Sequence, residues 1–575
     1  MPWTLYRYIL RELLKVLVLT TAVLVVVLSF GAAIGPLADG MLGPVTLVKF
    51  VLYTMPTVLG FALPFAGAFS ATVVFHAMTK DNEVLACRAG GMSYSRIFAP
   101  VGMLGVVLMV VLLLLSNTIV PGFWKAAKKT VEGDVLGVLV SQLNQNRPYH
   151  FGDNGLVLYA DAAEVRDPPA GSGIDTLKAE QFIVMTGVAV GQTDSQTSRI
   201  INDTTASTAS ALLVRDLNGK AYISLRLQDP VYYDAVSGEM QTVGRSGSFE
   251  TDQPILLPDP ISDEAVFFTY QDLRRLKRQP HEFDMVRQAQ SDLSDAVARQ
   301  QLTHMIVESL QAATGPGFIT LKGGLENTYY RLSAPLVEVN DRGLVLTGGD
   351  ALKVTIDKYD NAALRGDPIR RFEGDYAEVS VRTDRFDREP AVRITMRNVS
   401  VLGLNDSGAV NNKAEYAFPA MRYPGKVLGQ DPATLTANEL GEWSQRDTIR
   451  RAPAVQLARH NLRFRIIQLK YMIDAELYTR LATALATPLL LLLGTVLAVR
   501  LHDRLPLVVF FWSFILAILT IVMIHTGSSM AERVSVDDVV NGLGGDRVIG
   551  VAVLWGGNLI LLFVIAKLYL RIARN

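Results

Sequence analysis

Residues able to do chemistry are present in this 575-residue chain, but few are arranged to do it. Seven histidines are scattered along its length. His281-Glu282 is followed by Phe283-Asp284-Met285, so it does not complete the His-Glu-x-x-His pair that places two zinc ligands on one helix face. Gly244-Arg245-Ser246-Gly247 lacks the final glycine of a nucleophile elbow. No Gly-x-x-x-x-Gly-Lys-Ser/Thr loop occurs to cradle a nucleotide's phosphates. These readings predict no catalytic set, no metal site and no cofactor in this chain. The densest polar chemistry lies at 80–96, where a short helix is predicted to end at Gly90-Gly91. Glu83, Val84, Ala86 and Cys87 would fall on its adjoining faces. Glu83 has two readings. It is an acid favoured by the dipole of a helix start, or one half of an ion pair with a base on a soluble partner, fixing that partner's orientation.

The elements that position this stretch are apolar. Crossing a membrane takes about 20 apolar residues at about 1.5 Å of helical rise each. Candidate spans lie near 13–34, 47–78, 100–120, 477–499, 505–526 and 548–569. Half of the residues are hydrophobic and the mean hydropathy is +0.26, as six spans plus a water-exposed domain require. Net charge is zero, so no global field draws in nucleic acid. The lone Cys87 forms no internal disulfide. The first apolar run is too long for a cleaved signal peptide and reads as an uncleaved span.

Basic residues predict the orientation. Arg7, Arg11 and Lys15 precede span one; Lys80, Arg88 and Arg96 lie between spans two and three. Arg500 and Arg504 separate spans four and five, and Lys567, Arg571 and Arg574 follow span six. The opposite loops carry Asp39, Asp537, Asp538 and Asp546 with fewer bases. Both termini are therefore expected in the cytoplasm of a bacterium, and the middle domain in the periplasm. The spans are nearly free of interior charge, which argues against an ion-coupled carrier. Pro56 and Pro64, eight residues apart in span two, are either tolerated membrane prolines or kinks that open a cavity.

Alternation of period two runs through the middle. Ile223, Leu225 and Leu227 alternate with Tyr222, Ser224, Arg226 and Gln228; Leu352, Val354 and Ile356 with Lys353, Thr355 and Asp357; Val392, Ile394 and Met396 with Arg393, Thr395 and Arg397. The expected fold is membrane α-helical, six helices arranged 3+3. A large antiparallel β domain, jelly-roll-like, is inserted between helices three and four. Expected bounds are 1–125 for spans one to three, 126–470 for the β domain and 471–575 for spans four to six. Thr269 precedes Asp272, and Thr436 precedes Glu439, by the three residues of a capping box. These are unrelated helix starts, or they mark two modules near 130–310 and 311–470. The basic segment 446–470 is a solvated linking helix or a surface for anionic lipid.

Several of these motifs, in this order, resemble the LptF/LptG permease family of lipopolysaccharide export. Pro56 and Pro64, then Glu83, Arg88 and Gly91, match the family's second span and the stretch after it. Asn117-Thr-Ile-Val-Pro121 and the pair Glu476 and Arg480 resemble it further. The resemblance covers about 1–130 and 433–575. It implies a permease subunit that extracts lipopolysaccharide, or a similar anionic glycolipid, from the inner membrane. It implies that the 80–93 stretch is a coupling helix, with Asn82, Glu83, Arg88 and Gly91 received by a separate LptB-like ATPase dimer that hydrolyses the ATP. It also implies a second LptF/LptG-like permease or a second copy, and an LptC/LptA-like periplasmic bridge. Pro56, Pro64 and Pro121 would serve as hinge or cavity residues. Lys49, Lys125, Lys128, Lys129 and Arg480 would be candidate contacts for lipid head groups. Three departures stand out. The external domain is about twice the family's usual size. Ala484 takes the place of a proline that comes a turn later, at Pro488. Residues 31–40 hold only Asp39 where the family carries bases. A membrane-anchored envelope scaffold without transport, or an exporter of another lipid or lipoprotein, are the alternative readings.

Overall fold

In the computed structural model, residues 3–574 are described apart from short segments, the longest at 257–263, 426–436 and 536–544. Asp39, Thr436, Arg446, Asp537 and Asp538 lie outside the described residues.

Six helices are long and apolar enough to span a membrane: α1 (Trp3–Ala38), α2 (Pro44–Lys80), α4 (Tyr94–Leu114), α11 (Pro453–Arg500), α12 (Pro506–Glu532) and α13 (Gly545–Arg574). Between α2 and α4 lies the short α3 (Glu83–Ala89). A π turn, Leu115–Ile119, joins α4 to α5 (Val120–Glu132). The bundle is organised around α11, which packs on α2, α4, α12 and α13. Of the most apolar stretch of α11, 78% is buried; for α1 the figure is 17%. So α1 is a peripheral span. It leans on α2 through Ile9, Leu13 and Leu17, one residue per helical turn, and leaves its other sides open.

Lipid tails are as apolar as leucine, so close packing rather than water exclusion holds such helices together. Gly105 shows how. A Cβ built there would stand 2.8 Å from the Cα and Cβ of Pro488. The proline that sits a turn late in α11 thus fits against a glycine on α4. Pro56 is half-buried and Pro64 buried within an unbroken α2.

Outside the bundle, α6 (Val135–Asn144) seats Leu139 and Leu143 on a first antiparallel sheet. Its main strands run in the order 149–151, 156–166, 181–193, 200–215, 221–228 and 248–250. Asn144 acts as a false strand partner, accepting from the Ala163 N–H at 2.8 Å and donating to its carbonyl at 2.9 Å. The chain then crosses back over the bundle through a 3-10 turn (Ala265–Phe267), α7 (Tyr270–Arg278) and the long α8 (Asp284–Leu310).

A second antiparallel sheet follows. Strand 390–403 pairs with 376–383 and 370–374 along one edge, and with 421–422 and 410–417 along the other. Because 421–422 continues through 318–323, 329–333 and 354–359 to 370–374, the sheet closes on itself. Among the described residues, closure leaves free edges only on the strands outside the ring, 336–340 and 410–417. The predicted alternation is seen: Val392, Ile394 and Met396 are buried, while Arg393 and Arg397 are exposed. Several details differ from expectation. Tyr222 and Ser224, on the face expected to lie opposite the apolar one, are buried as well. Leu352 precedes its strand and is 59% exposed. Asp357, expected to face water, is buried because the directly opposed Arg371 binds both its oxygens, at 2.7 and 3.1 Å.

Helix α8 links the two regions. Leu302, Ile306 and Leu310 enter the core of the second sheet. Val286, Leu293 and Val297 pack with Val455, Leu462 and Leu469 on the part of α11 beyond the bundle, together with Leu440 of α9 (Ala437–Trp443) and Ile449 of α10 (Asp447–Arg450). At about 1.5 Å per residue the 48 residues of α11 run about 70 Å, far more than a bilayer core needs.

Candidate functional site

Two polar assemblies stand at opposite ends of the bundle. The first is built on α3. Asn82 opens the helix with φ of 63°, a left-handed conformation that asparagine tolerates better than most residues. The helix closes in a Schellman motif. The N–H of Met92 donates to the Cys87 carbonyl at 3.1 Å, that of Gly91 donates to Arg88 at 2.9 Å, and Gly91 takes φ of 83°. The helix is therefore bounded at both ends by residues that tolerate a left-handed backbone.

Its faces divide cleanly. Val84 is 3% exposed and enters the bundle core, so it does not belong to the outward face. Leu85 is the outward apolar residue, 65% exposed. Sequence reasoning passed over it, although an apolar residue beside Glu83 on so short a polar helix was the available signal. Glu83 is half-buried and accepts a hydrogen bond from the Tyr8 hydroxyl of α1 at 3.3 Å. The Arg88 guanidinium lies 4.2 Å from the Tyr94 ring centre, a cation–π contact that braces the turn into α4. Burial, and then the Glu83 charge, push the Cys87 thiol above its ordinary range.

The second assembly centres on Arg480 of α11, 6% exposed. Its Nε donates to Glu476 Oε1 at 2.7 Å and its Nη1 to Asn117 Oδ1 at 3.2 Å. Its Nη2 faces the carbonyls of Phe268 at 3.0 Å, Ala265 at 3.3 Å and Val266 at 3.4 Å. The guanidinium is therefore spent on protein acceptors. A buried cation must be paired, and this one, expected at a lipid head group, has its partners inside the fold.

Asn117 reaches Arg480 from the π turn. There Ser116, Asn117 and Thr118 donate in succession to the carbonyls of Leu112, Leu113 and Leu114, at 2.8, 2.7 and 2.5 Å. These bonds serve carbonyls of a helix that widens just before Pro121, which has no N–H to give. Pro121 itself is buried.

Further ties surround the node. Asp474 accepts from Lys277 of α7 at 2.5 Å and from Arg547 of α13 at 2.7 Å. Lys125 of α5 pairs with Asp272 of α7 at 3.4 Å. Thr269 and Asp272 form the predicted capping box. Burial pushes the Asp272 carboxyl up, but the Thr269 bonds and the Lys125 charge outweigh it and hold it below its ordinary value. Lys49 is exposed on α2, away from any ion pair among the described residues. Lys128 and Lys129 lie on α5, with side chains outside the described set. No metal-holding cluster of His, Cys, Asp and Glu occurs among the described residues.

A six-span bundle with a β domain between spans three and four is the build of a multi-pass membrane protein. Part of the sequence is similar to a known family: residues 7–181 match the model of the lipopolysaccharide export system permease LptF/LptG. The match runs from α1 through α6 into the first sheet, and bears out the resemblance over that stretch. No curated protein matches the chain.

Proposed function

We propose that this chain is the transmembrane permease subunit of an ATP-driven exporter that takes lipopolysaccharide, or a similar anionic glycolipid, out of the inner membrane. The observation that carries the reading is a coincidence in space. The stretch that matches the permease family contains a short helix, pinned at both ends, that presents the bare Leu85 away from the bundle, beside a Glu83 half-buried against Tyr8. An exposed apolar side chain flanked by an acid is what a groove with a basic rim on a soluble partner would receive. That partner would be an LptB-like ATPase dimer, which supplies the ATP chemistry this chain lacks.

In this reading α3 and both termini are cytoplasmic and the β domain is periplasmic, following the basic residues around α3. Motion imposed on α3 passes to α1 through Tyr8 and to the core through Val84. Movement of α11 carries the second sheet with it, because α8 binds both. A second permease of the same kind, or a second copy, would complete the lipid cavity. The β domain would hand lipid to an LptC/LptA-like bridge.

The test is mild-detergent affinity purification of the native chain and of a Leu85→Asp, Glu83→Ala variant, with mass spectrometry of proteins and lipids. An ATPase and an anionic glycolipid recovered with the native chain, the ATPase being lost with the variant, are expected. Envelope proteins without an ATPase would leave the scaffold reading instead.

A further inference from the structure

A groove of about 1000 Å³ lies between α1 and α4, at the end of the bundle that carries α3. Leu10, Leu14 and Val18 of α1 and Met103 and Val107 of α4 make its apolar wall. Such a wall alone would be bathed by any lipid tail. What sets this one apart is a second stripe on the same lining: Arg7, Arg11 and Lys15, four residues apart and therefore on one side of α1. Trp3 and Tyr6 stand at the mouth, where amphipathic rings mark a membrane–water boundary.

The charges in the groove do not cancel. Glu12 pairs with Lys15 at 2.6 Å, while Arg7 and Arg11 make no ion pair among the described residues. Cations beside hydrocarbon need an anion or a route to water. Two guanidiniums about 6 Å apart along the helix present paired donors suited to a phosphate. A second copy of this chain would bring an identical basic stripe, and like charge would oppose it.

We infer that this groove binds one anionic phospholipid, its phosphate held by Arg7 and Arg11 and an acyl chain laid along Leu14, Val18 and Val107. The site lies at the opposite end of the bundle from the Arg480 node and does not depend on the export reading. Its occupant fills the space that peripheral α1 leaves against α4. It also acts on the neighbour of Tyr8, the residue that holds Glu83.

The experiment places the purified full chain in nanodiscs of phosphatidylcholine doped with phosphatidylglycerol and reads retained lipid by native mass spectrometry. The native chain should retain one phosphatidylglycerol in preference to phosphatidylcholine. Arg7→Gln with Arg11→Gln should reduce that preference by roughly ten- to thirtyfold. Arg500→Gln with Arg504→Gln, a basic pair elsewhere, should leave it unchanged. A photo-crosslinker at Val107 should mark lipid. Equal retention by the native and double-glutamine chains overturns the proposal, as does crosslinking of Val107 to an acidic polypeptide. Should the double variant not fold, a titration of the native chain decides. Melting temperature that does not rise with phosphatidylglycerol content overturns the site.

Discussion

Arg480 and Asn117 stand 363 residues apart in the chain and 3.2 Å apart in space. The contact joins the widened turn at the end of α4 to the middle of α11, and the same guanidinium grips the carbonyls that lead into α7. Spans three and four and the chain returning from the first sheet therefore share one cation.

Removing that cation leaves Glu476 and three carbonyls without their donor. Arg480→Met should destabilise the protein by about 3–5 kcal/mol, as breaking buried pairs does. Arg480→Lys should recover little, because an ammonium cannot reproduce the planar fork. Thermal unfolding of the purified protein in one detergent measures both. A loss under about 1 kcal/mol for the methionine variant would show that the network is dispensable.

Gly105→Ala should cost about 1–3 kcal/mol through overpacking against Pro488. Gly102, on the same helix with open space around its Cβ position, is the control, and Gly102→Ala should be neutral or slightly stabilising. The same melting measurement separates them, and equal effects would argue against the close α4–α11 contact.

Cys87 is the only thiol, so alkylation reports on α3 alone. Its raised pKa keeps it mostly protonated near neutrality, and iodoacetamide should react with it slowly. Glu83→Gln removes the second cause of the shift and should speed the reaction at fixed pH. An unchanged rate would mean that burial alone governs the thiol.

Asp272 gives a pH prediction with a definite sign. Its folded pKa lies below the ordinary value of 3.8, so its contribution to stability is fully present above that value. The contribution fades as pH falls through the lowered folded pKa. Asp272→Asn should therefore narrow the difference in melting temperature between neutral and strongly acidic pH. Thr269→Ala, which removes the other half of the cap, should cost about 1 kcal/mol. An undiminished acid sensitivity in Asp272→Asn would locate the titration elsewhere.

What could be read from the sequence was local. A span announces itself within about 20 consecutive residues, and the α3 stop at Gly90-Gly91 within two. Alternation around Val392 and Ile394 named a strand, but not the partners on either edge of it, since pairing is set by residues far along the chain. Asp357 shows the same limit: only the opposed Arg371 makes its burial tolerable, and register is not local information. Arg480 was read as a lipid contact; its acceptors other than Glu476 lie more than 200 residues away. Its spacing from Glu476 was the available hint, since a charge inside an apolar run must be answered.

The continuity of α11 has a mechanical consequence. Arg480 divides the helix into arms of about 40 Å toward Pro453 and about 30 Å toward Arg500. A rod held near that point behaves as a lever with unequal arms. A small swing of the short arm among the other spans is returned enlarged at the far end, where Val455 and Leu462 carry α8. Geometry alone thus gives the β domain a longer stroke than any swing of the short arm.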